Sequence, residues 1–300
     1  MRVVLAGGNG ALGRRIAADL ATRGDDIAVL TRSPDRRGPG RQLLWDGASA
    51  GPWASELAGA ALINLAGELV DRRPTPANVE ALTSSRVRPT RALRQAAAGL
   101  ATPPAVWLQM STLAIYGDAG DAVLAEGAAP ADGPAQMAGV ARAWETAAKG
   151  VTAGRQVVLR TAVVLDRGTP AYARITSVTR WGLGGRMGSG SQWVSWLHIE
   201  DFLAIIRFCL DDHGLAGVVH ATSPLPVTNA DFMAAFRRSQ NRPAAPPTPA
   251  WLLRLGAALL RTDPALALTG RRCVPARLAA LGFAFRYPEI DAALKALRTS

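Results

Sequence analysis

Three glycines, Gly7, Gly10 and Gly13, stand at three-residue intervals in GGNGALG, directly behind the apolar run Arg2 to Ala6. Glycine does no chemistry of its own, but it lets main chain come close to a phosphate. The first permits a tight turn, the second admits a pyrophosphate against the backbone, and the third lets helix pack on strand. Leu12, Ile16 and Leu20 then recur every four residues, which predicts a helix whose free N-terminal amides face the anion. Asn9, Ala11 and Leu12 share that turn, and the whole reads as a dinucleotide site.

Ile27 to Thr31 predicts a second strand, at whose tip an NAD-selective site carries a carboxylate for the ribose hydroxyls. This chain has Thr31, Arg32 and Ser33 there. A guanidinium between two hydroxyls suits a 2′-phosphate, with Arg36 and Arg37 in reserve, so the expected cofactor is NADP(H). An exposed turn arginine is the alternative reading.

Positioning such a site requires a sheet. Further apolar runs at Leu43 to Trp45, Ala61 to Leu65, Ala105 to Met110 and Gln156 to Leu165 alternate with helical patterns such as Val79 to Ala98. This predicts an α/β fold of Rossmann type, a doubly wound parallel sheet covered on both faces. Ala66 and Gly67 end the fourth strand and leave room for pyrophosphate and ribose. Glu68 follows them, either a general base raised by desolvation or a carboxylate at a helix start. Asn241 to Pro249 is a proline-rich connector, after which Trp251 to Leu260 and Asp291 to Leu297 read as amphipathic helices. The expected division is a nucleotide-binding domain over 1–165, joined again by 197–222, and a substrate side over 166–300. Within the latter lies a smaller, mostly helical domain over about 246–300.

With 34 basic against 23 acidic residues the net charge is +11, yet Lys149 and Lys295 are the only lysines and the arginines fall in scattered pairs. Without a basic run, nucleic acid is not an expected partner. Cys209 and Cys273 lie apart in apolar segments, as buried free thiols would. His198, His213 and His220 form no metal-ligand pattern, and no metal is expected. The opening MRVVLAGG has no signal-peptide layout and WLLRLGAALL is too short to span a bilayer, so a cytoplasmic setting without membrane contact is expected. A homodimer is left open, with WLLRLGAALL read as core or dimer contact.

Several blocks follow one another along the chain: GGNGALG, INLAGE (Ile63 to Glu68), SSR (Ser84 to Arg86), MSTLAIYG (Met110 to Gly117), WE (Trp144 and Glu145), LRTAVVL (Leu159 to Leu165), GLGGRMGSGSQWVSWLHIED (Gly182 to Asp201) and RRCVPARLAALGFAFRYP (Arg271 to Pro288). In this order they resemble the epimerase-family branch of extended short-chain dehydrogenase/reductases, which ends in a small domain of unknown function. The resemblance covers essentially the whole chain and implies NADP(H) and an unidentified small-molecule substrate. It places a catalytic hydroxyl at Thr112, with Ser111 beside it and also near the cofactor. Counting onward, it places the usual tyrosine at Met137 and the usual lysine at Ala141, with Glu145 matching an acidic residue that follows. Neither methionine nor alanine exchanges a proton near neutral pH, so tyrosinate chemistry is excluded at that position. Helical spacing sets Met137, Ala141 and Glu145 on one face.

The same resemblance puts Arg86 where relatives carry an asparagine, as a carboxylate clamp or carbonyl electrophile. It makes the glycine-rich segment a substrate-facing loop or lid, with Trp181, Gln192, Trp196 and His198 as candidate substrate contacts. His198 alternatively reads as a hydrogen-bonded core imidazole. Two functions stay open: an NADP(H)-dependent oxidoreductase or epimerase-like enzyme, and a catalytically silent NADP(H)-binding protein that is structural or senses redox state.

Overall fold

The computed structural model describes residues 1–35 and 38–299, so Arg36 and Arg37 lie outside the described residues. In chain order it contains β1 (Arg2–Ala6), α1 (Ala11–Thr22), β2 (Asp26–Thr31), β3 (Arg41–Leu44), β4 (Ala61–Asn64), α2 (Pro76–Ala98) and β5 (Val106–Thr112). There follow β6 (Val123–Leu124), α3 (Val140–Ala147), β7 (Arg155–Thr161), β8 (Val163–Leu165), α4 (Pro170–Arg180), β9 (Trp193–Val194) and β10 (Trp196–His198). The chain continues through α5 (Ile199–Asp211), β11 (Gly217–Ala221), β12 (Val227–Thr228), α6 (Asn229–Ser239), α7 (Ala250–Leu260), α8 (Ala265–Leu268), β13 (Arg272–Cys273), α9 (Ala276–Ala280) and α10 (Ile290–Thr299).

Among the described residues seven strands form one parallel sheet in the order β11-β7-β5-β4-β1-β2-β3. Strands buried on both faces read as continuous apolar runs. β1 and β4 bury nearly every side chain, as RVVLA and ALIN do here. The chain runs outward from β1 through β2 to β3, then returns to lay β4 on the other side of β1. That reversal opens a crevice at the carboxyl ends of β1 and β4, where doubly wound sheets take their ligands. One apolar cluster packs α1 and α5 against one face of the sheet, and a second, around Trp107 and Leu93 of α2, covers the other.

The rest of the chain grips this sheet by short pairings. The apolar run Gln156 to Leu165, expected as one strand, is broken at Ala162. β7 stays in the sheet, while β8 leaves it to pair with β10, because Ala162 donates its N–H to Ala221 as the path bends away. β11 closes the sheet edge beside β7. β13, from the C-terminal segment, pairs with β6 just after the turn that follows β5. α7 is not core: it buries Ala257 alone and leaves Trp251, Leu255 and Leu259 exposed.

The proline-rich connector is a packed strap rather than a free linker. Thr248 donates its N–H to Arg186 and accepts from Gly188, and the connector lies directly on the glycine-rich loop. A Cβ on Gly185 would stand 1.8 Å from the Pro246 carbonyl oxygen. Gly185, one of the glycines that suggested a lid, is therefore demanded by close packing. Gly185→Ala is expected to destabilise the protein by about 2–4 kcal/mol in thermal melts. Gly127→Ala, whose Cβ would meet nothing within 4 Å, leaves the melt unchanged.

Candidate functional site

At the mouth of the crevice the glycine loop divides its labour unevenly. Gly7 has φ +85°, and a Cβ there would stand 3.0 Å from the Leu65 carbonyl carbon behind β4. Gly13 would strike Gly8 at 2.6 Å, and Gly8, which spacing alone did not single out, would strike Val29 of β2 at 2.8 Å. These three are required by the fold itself. Gly10 is different: its Cβ would meet only the Gly7 carbonyl at 3.4 Å, an ordinary contact. Among the described residues nothing else comes within 4 Å of that flank, which leaves room for a phosphate. α1 begins there with no side-chain cap and no acidic residue in its first turn, leaving its amides to an anion.

Asn9 ties this loop to the tip of β2. Its Nδ2 donates to Thr31 Oγ1 at 3.0 Å and to Gln42 Oε1 at 3.1 Å, while its buried Oδ1 has no partner among the described residues. Ser33 donates its N–H back to Thr31 Oγ1. Thr31 is thus a turn-former, and Arg32 projects exposed beside it. Gln42, on β3, was not legible as part of this site. The signal would have been its register opposite Val29 of β2, which pairing supplies and sequence does not.

Behind the fourth strand, Gly67 is small because the Arg86 side chain lies over it, 2.9 Å from the Cβ position. Arg86 is spent as a clamp. It donates to the carbonyls of Leu82 at 3.0 Å and Glu68 at 2.7 Å, and sits 5.2 Å from the Trp144 ring. Burial, only partly offset by Glu68, lowers its pKa to about 10. It therefore fastens the loop after β4 to α2 instead of offering an open fork. Glu68 is no helix-start residue, since α2 begins only at Pro76; it lies in the loop, partly exposed and ion-paired with Arg72.

The two hydroxyls at the end of β5 have separate fates. Ser111 is buried and gives its proton to Glu145 Oε1 at 2.6 Å. Thr112 accepts from the Ala114 N–H at 3.1 Å to cap a 3-10 turn, and its own proton has no acceptor among the described residues. Met137 and Ala141 are buried beside them, but not on one regular helix. Ala135 to Gly139 form a π turn, and α3 starts only at Val140. The wider turn resets the register, so a four-residue count across it does not define one face. In this turn Gln136 donates to the carbonyls of Val70 and Arg72, and its buried Oε1 has no partner among the described residues.

Glu145 leads into a buried polar chain. Arg160 of β7 grips it with two bonds of 2.9 and 2.8 Å, then donates to the Tyr116 hydroxyl at 2.7 Å. Tyr116 meets His220 Nε2 at 2.7 Å, and His220 Nδ1 lies 3.0 Å from the Val274 carbonyl. Burial would lower the Arg160 pKa, but its bonds to Glu145 outweigh that and hold it above the ordinary arginine value. Burial raises Tyr116 to about 12 and depresses His220. Tyr116 is then a fixed neutral phenol inside the core. The signal for Arg160 was present in the sequence: the one charge inside the run Gln156 to Leu165 demands a buried partner.

The remaining expected substrate contacts scatter. Trp196 is fully buried and donates to the Leu225 carbonyl, so it is core. His198 is 2% exposed, caps α5 by accepting the Glu200 N–H, and lies 4.0 Å from the Tyr287 ring. Burial lowers its pKa to about 4, which makes it a neutral core imidazole. Gln192 holds the carbonyls of Met187 and Ala267. Trp181 is 81% exposed on an open depression of about 520 Å³ lined by α4, away from the glycine loop and hydroxyls. Cys209 and Cys273 are buried free thiols.

This arrangement has close counterparts. Residues 248–297 match a family model described as a domain of unknown function, DUF1731. The bovine epimerase family protein SDR39U1 is 33% identical over 98% of this chain and 99% of its own length. The epimerase family protein YfhF of Bacillus subtilis is 28% identical over 99% of the chain and 98% of its length. A crystal structure of human SDR39U1 (isoform 2) with NADPH superposes at a TM-score of 0.88, with 32% identity and full coverage of both chains. A nucleoside-diphosphate sugar epimerase from Corynebacterium glutamicum superposes at 0.77, with 30% identity, covering 98% of this chain and 57% of that one.

Two stability measurements check the buried chemistry. Arg160→Met strands the Glu145 carboxylate and is expected to lower unfolding free energy by about 3–5 kcal/mol in urea titrations, with Glu145→Gln added in the same chain restoring more than half. For His198, the unfolded chain takes up its proton near pH 6.5 and the folded chain only near 4. Stability present above pH 6.5 is therefore lost as pH falls toward 4. His198→Asn, which keeps a capping side chain, should shrink that fall by on the order of 2–3 kcal/mol.

Proposed function

The chain belongs to the SDR39U1 epimerase family, and from that premise we propose that it binds NADP(H) and acts as an oxidoreductase or epimerase-like enzyme on a small molecule. The observation carrying this reading is Gly10, a glycine the fold does not require, at the uncapped start of α1 in the switch-point crevice. The residues present fit the cofactor: a cradle of bare main chain for the pyrophosphate, and Arg32 with Ser33 at the tip of β2 for a 2′-phosphate. When bound, the cofactor supplies hydride chemistry.

The chain's own residues contribute position and one free hydrogen-bond donor. Thr112 is the hydroxyl whose O–H is uncommitted among the described residues, and it would hold a substrate oxygen at the end of β5 by donating a hydrogen bond. Ser111 can act only as an acceptor, since its O–H is donated to Glu145. Met137 and Ala141 form an apolar wall that excludes water without exchanging protons. A catalytically silent NADP(H)-binding protein is the second reading, supported by that wall and by the locked Ser111 proton.

Calorimetry with NADPH and NADH tests the cofactor. Arg32→Glu should weaken NADPH about tenfold and leave NADH nearly unchanged, the worth of one charge-assisted contact; equal loss for both would remove the 2′-phosphate site. Turnover of NADPH against a carbonyl panel, abolished in Thr112→Ala with cofactor affinity intact, separates the enzyme from the silent protein.

A further inference from the structure

Arg271 stands out among the arginines of this chain. It lies one residue ahead of β13, two residues from Cys273, and the two side chains are within electrostatic reach of each other. Residues two apart on an extended run share a face. Cys273 is buried against Leu113, Ile115, Tyr116 and Ala141. Arg271 thus faces the side of the crevice where Thr112 begins the 3-10 turn and where Met137 and Ala141 make the apolar wall. Arg272, on the opposite face, is occupied: its guanidinium stacks 4.3 Å from the Trp193 ring.

The backbone that presents Arg271 is tightly held. Its N–H donates to the Trp193 carbonyl and its carbonyl accepts the Ser195 hydroxyl at 2.9 Å. Gly270 donates to Asp118 Oδ1 at 3.0 Å, and a Cβ there would strike the Trp193 nitrogen at 2.4 Å. The guanidinium itself is nearly unspent. One bond of 3.1 Å goes to Thr269 Oγ1, and among the described residues no carboxylate lies within ion-pair distance. The side chain is half-buried, with Asp118 acting on it only from beyond ion-pair distance. Its unbonded nitrogens are not sealed in the core, so most of its five donors are open to a ligand that reaches this side of the crevice. Arg160 and Arg86, by contrast, have their donors taken up by a carboxylate or by main-chain carbonyls.

We propose that Arg271 anchors the substrate of this site, and that the substrate carries a carboxylate or phosphate group. This rests on reading the crevice as an NADP(H)-dependent site. The planar fork takes either anion through two parallel bonds. It would hold the anionic end at the C-terminal segment while Thr112 meets an oxygen at the nicotinamide side.

The test uses the full chain saturated with NADPH, so that the glycine loop is filled, and titrates oxalate and inorganic phosphate separately by calorimetry. The wild type should bind at least one of them. Arg271→Gln should weaken that anion at least tenfold with NADPH affinity unchanged, while Arg242→Gln, on the surface, has no effect. Preference for oxalate assigns a carboxylate substrate, and preference for phosphate a phosphorylated one. No anion binding by the wild type, or equal binding by a folded Arg271→Gln protein, overturns the proposal. If that variant melts early, Arg271→Lys replaces it, with a several-fold loss expected and no loss decisive against. Should the wild type fail to bind NADPH, the nucleotide reading falls by itself, and oxalate titrated into the nucleotide-free wild type and variant still decides the role of Arg271.

Discussion

The buried pair of Glu145 and Arg160 is the constraint around which this molecule is arranged. It joins α3 to β7, takes the proton of Ser111 on β5, and passes through Tyr116 and His220 to the main chain of Val274. Two charges removed from water are tolerated only when both are fully bonded. The bonding here spans residues more than a hundred positions apart. A sheet, a helix and the C-terminal segment must all be seated before the pair is satisfied, so cooperativity is built into its geometry.

That arrangement also decides which hydroxyl is available. Because the Glu145 side chain beneath Ser111 is gripped by Arg160, the serine hydroxyl is directed inward. Thr112, one residue on, turns its oxygen to a backbone N–H and keeps its proton. Two adjacent hydroxyls of the same chemistry thus acquire opposite roles from what lies beneath them. On the proposed reading, the buried Met137 and Ala141 stand beside the Thr112 donor, and Arg271 brings a cation from the far end of the chain.

Local pattern was enough for the nucleotide half. Strand, glycine turn and helix are contiguous, and the fourfold spacing of Leu12, Ile16 and Leu20 marks a buried stripe that the structure realises. The π turn before α3 was hidden because a four-residue count cannot register an added residue per turn. Trp196 and His198 sat in a motif that looked substrate-facing, but β10 turns both into the core through pairing with β8, a partner some thirty residues earlier. Arg271 and Gln42 owe their surroundings wholly to segments distant in sequence. The glycine-rich segment misled for the same reason, since the Pro246 main chain that requires Gly185 comes from the connector sixty residues on.

That contact between Gly185 and Pro246 carries an evolutionary consequence. Only Gly185 is constrained in identity, because its partner is a main-chain carbonyl that any residue at position 246 supplies, while the Thr248 pairing with Arg186 and Gly188 fixes where that carbonyl lies. Lineages that replace this glycine should therefore carry a strap of altered length or path, with position 246 itself free to vary.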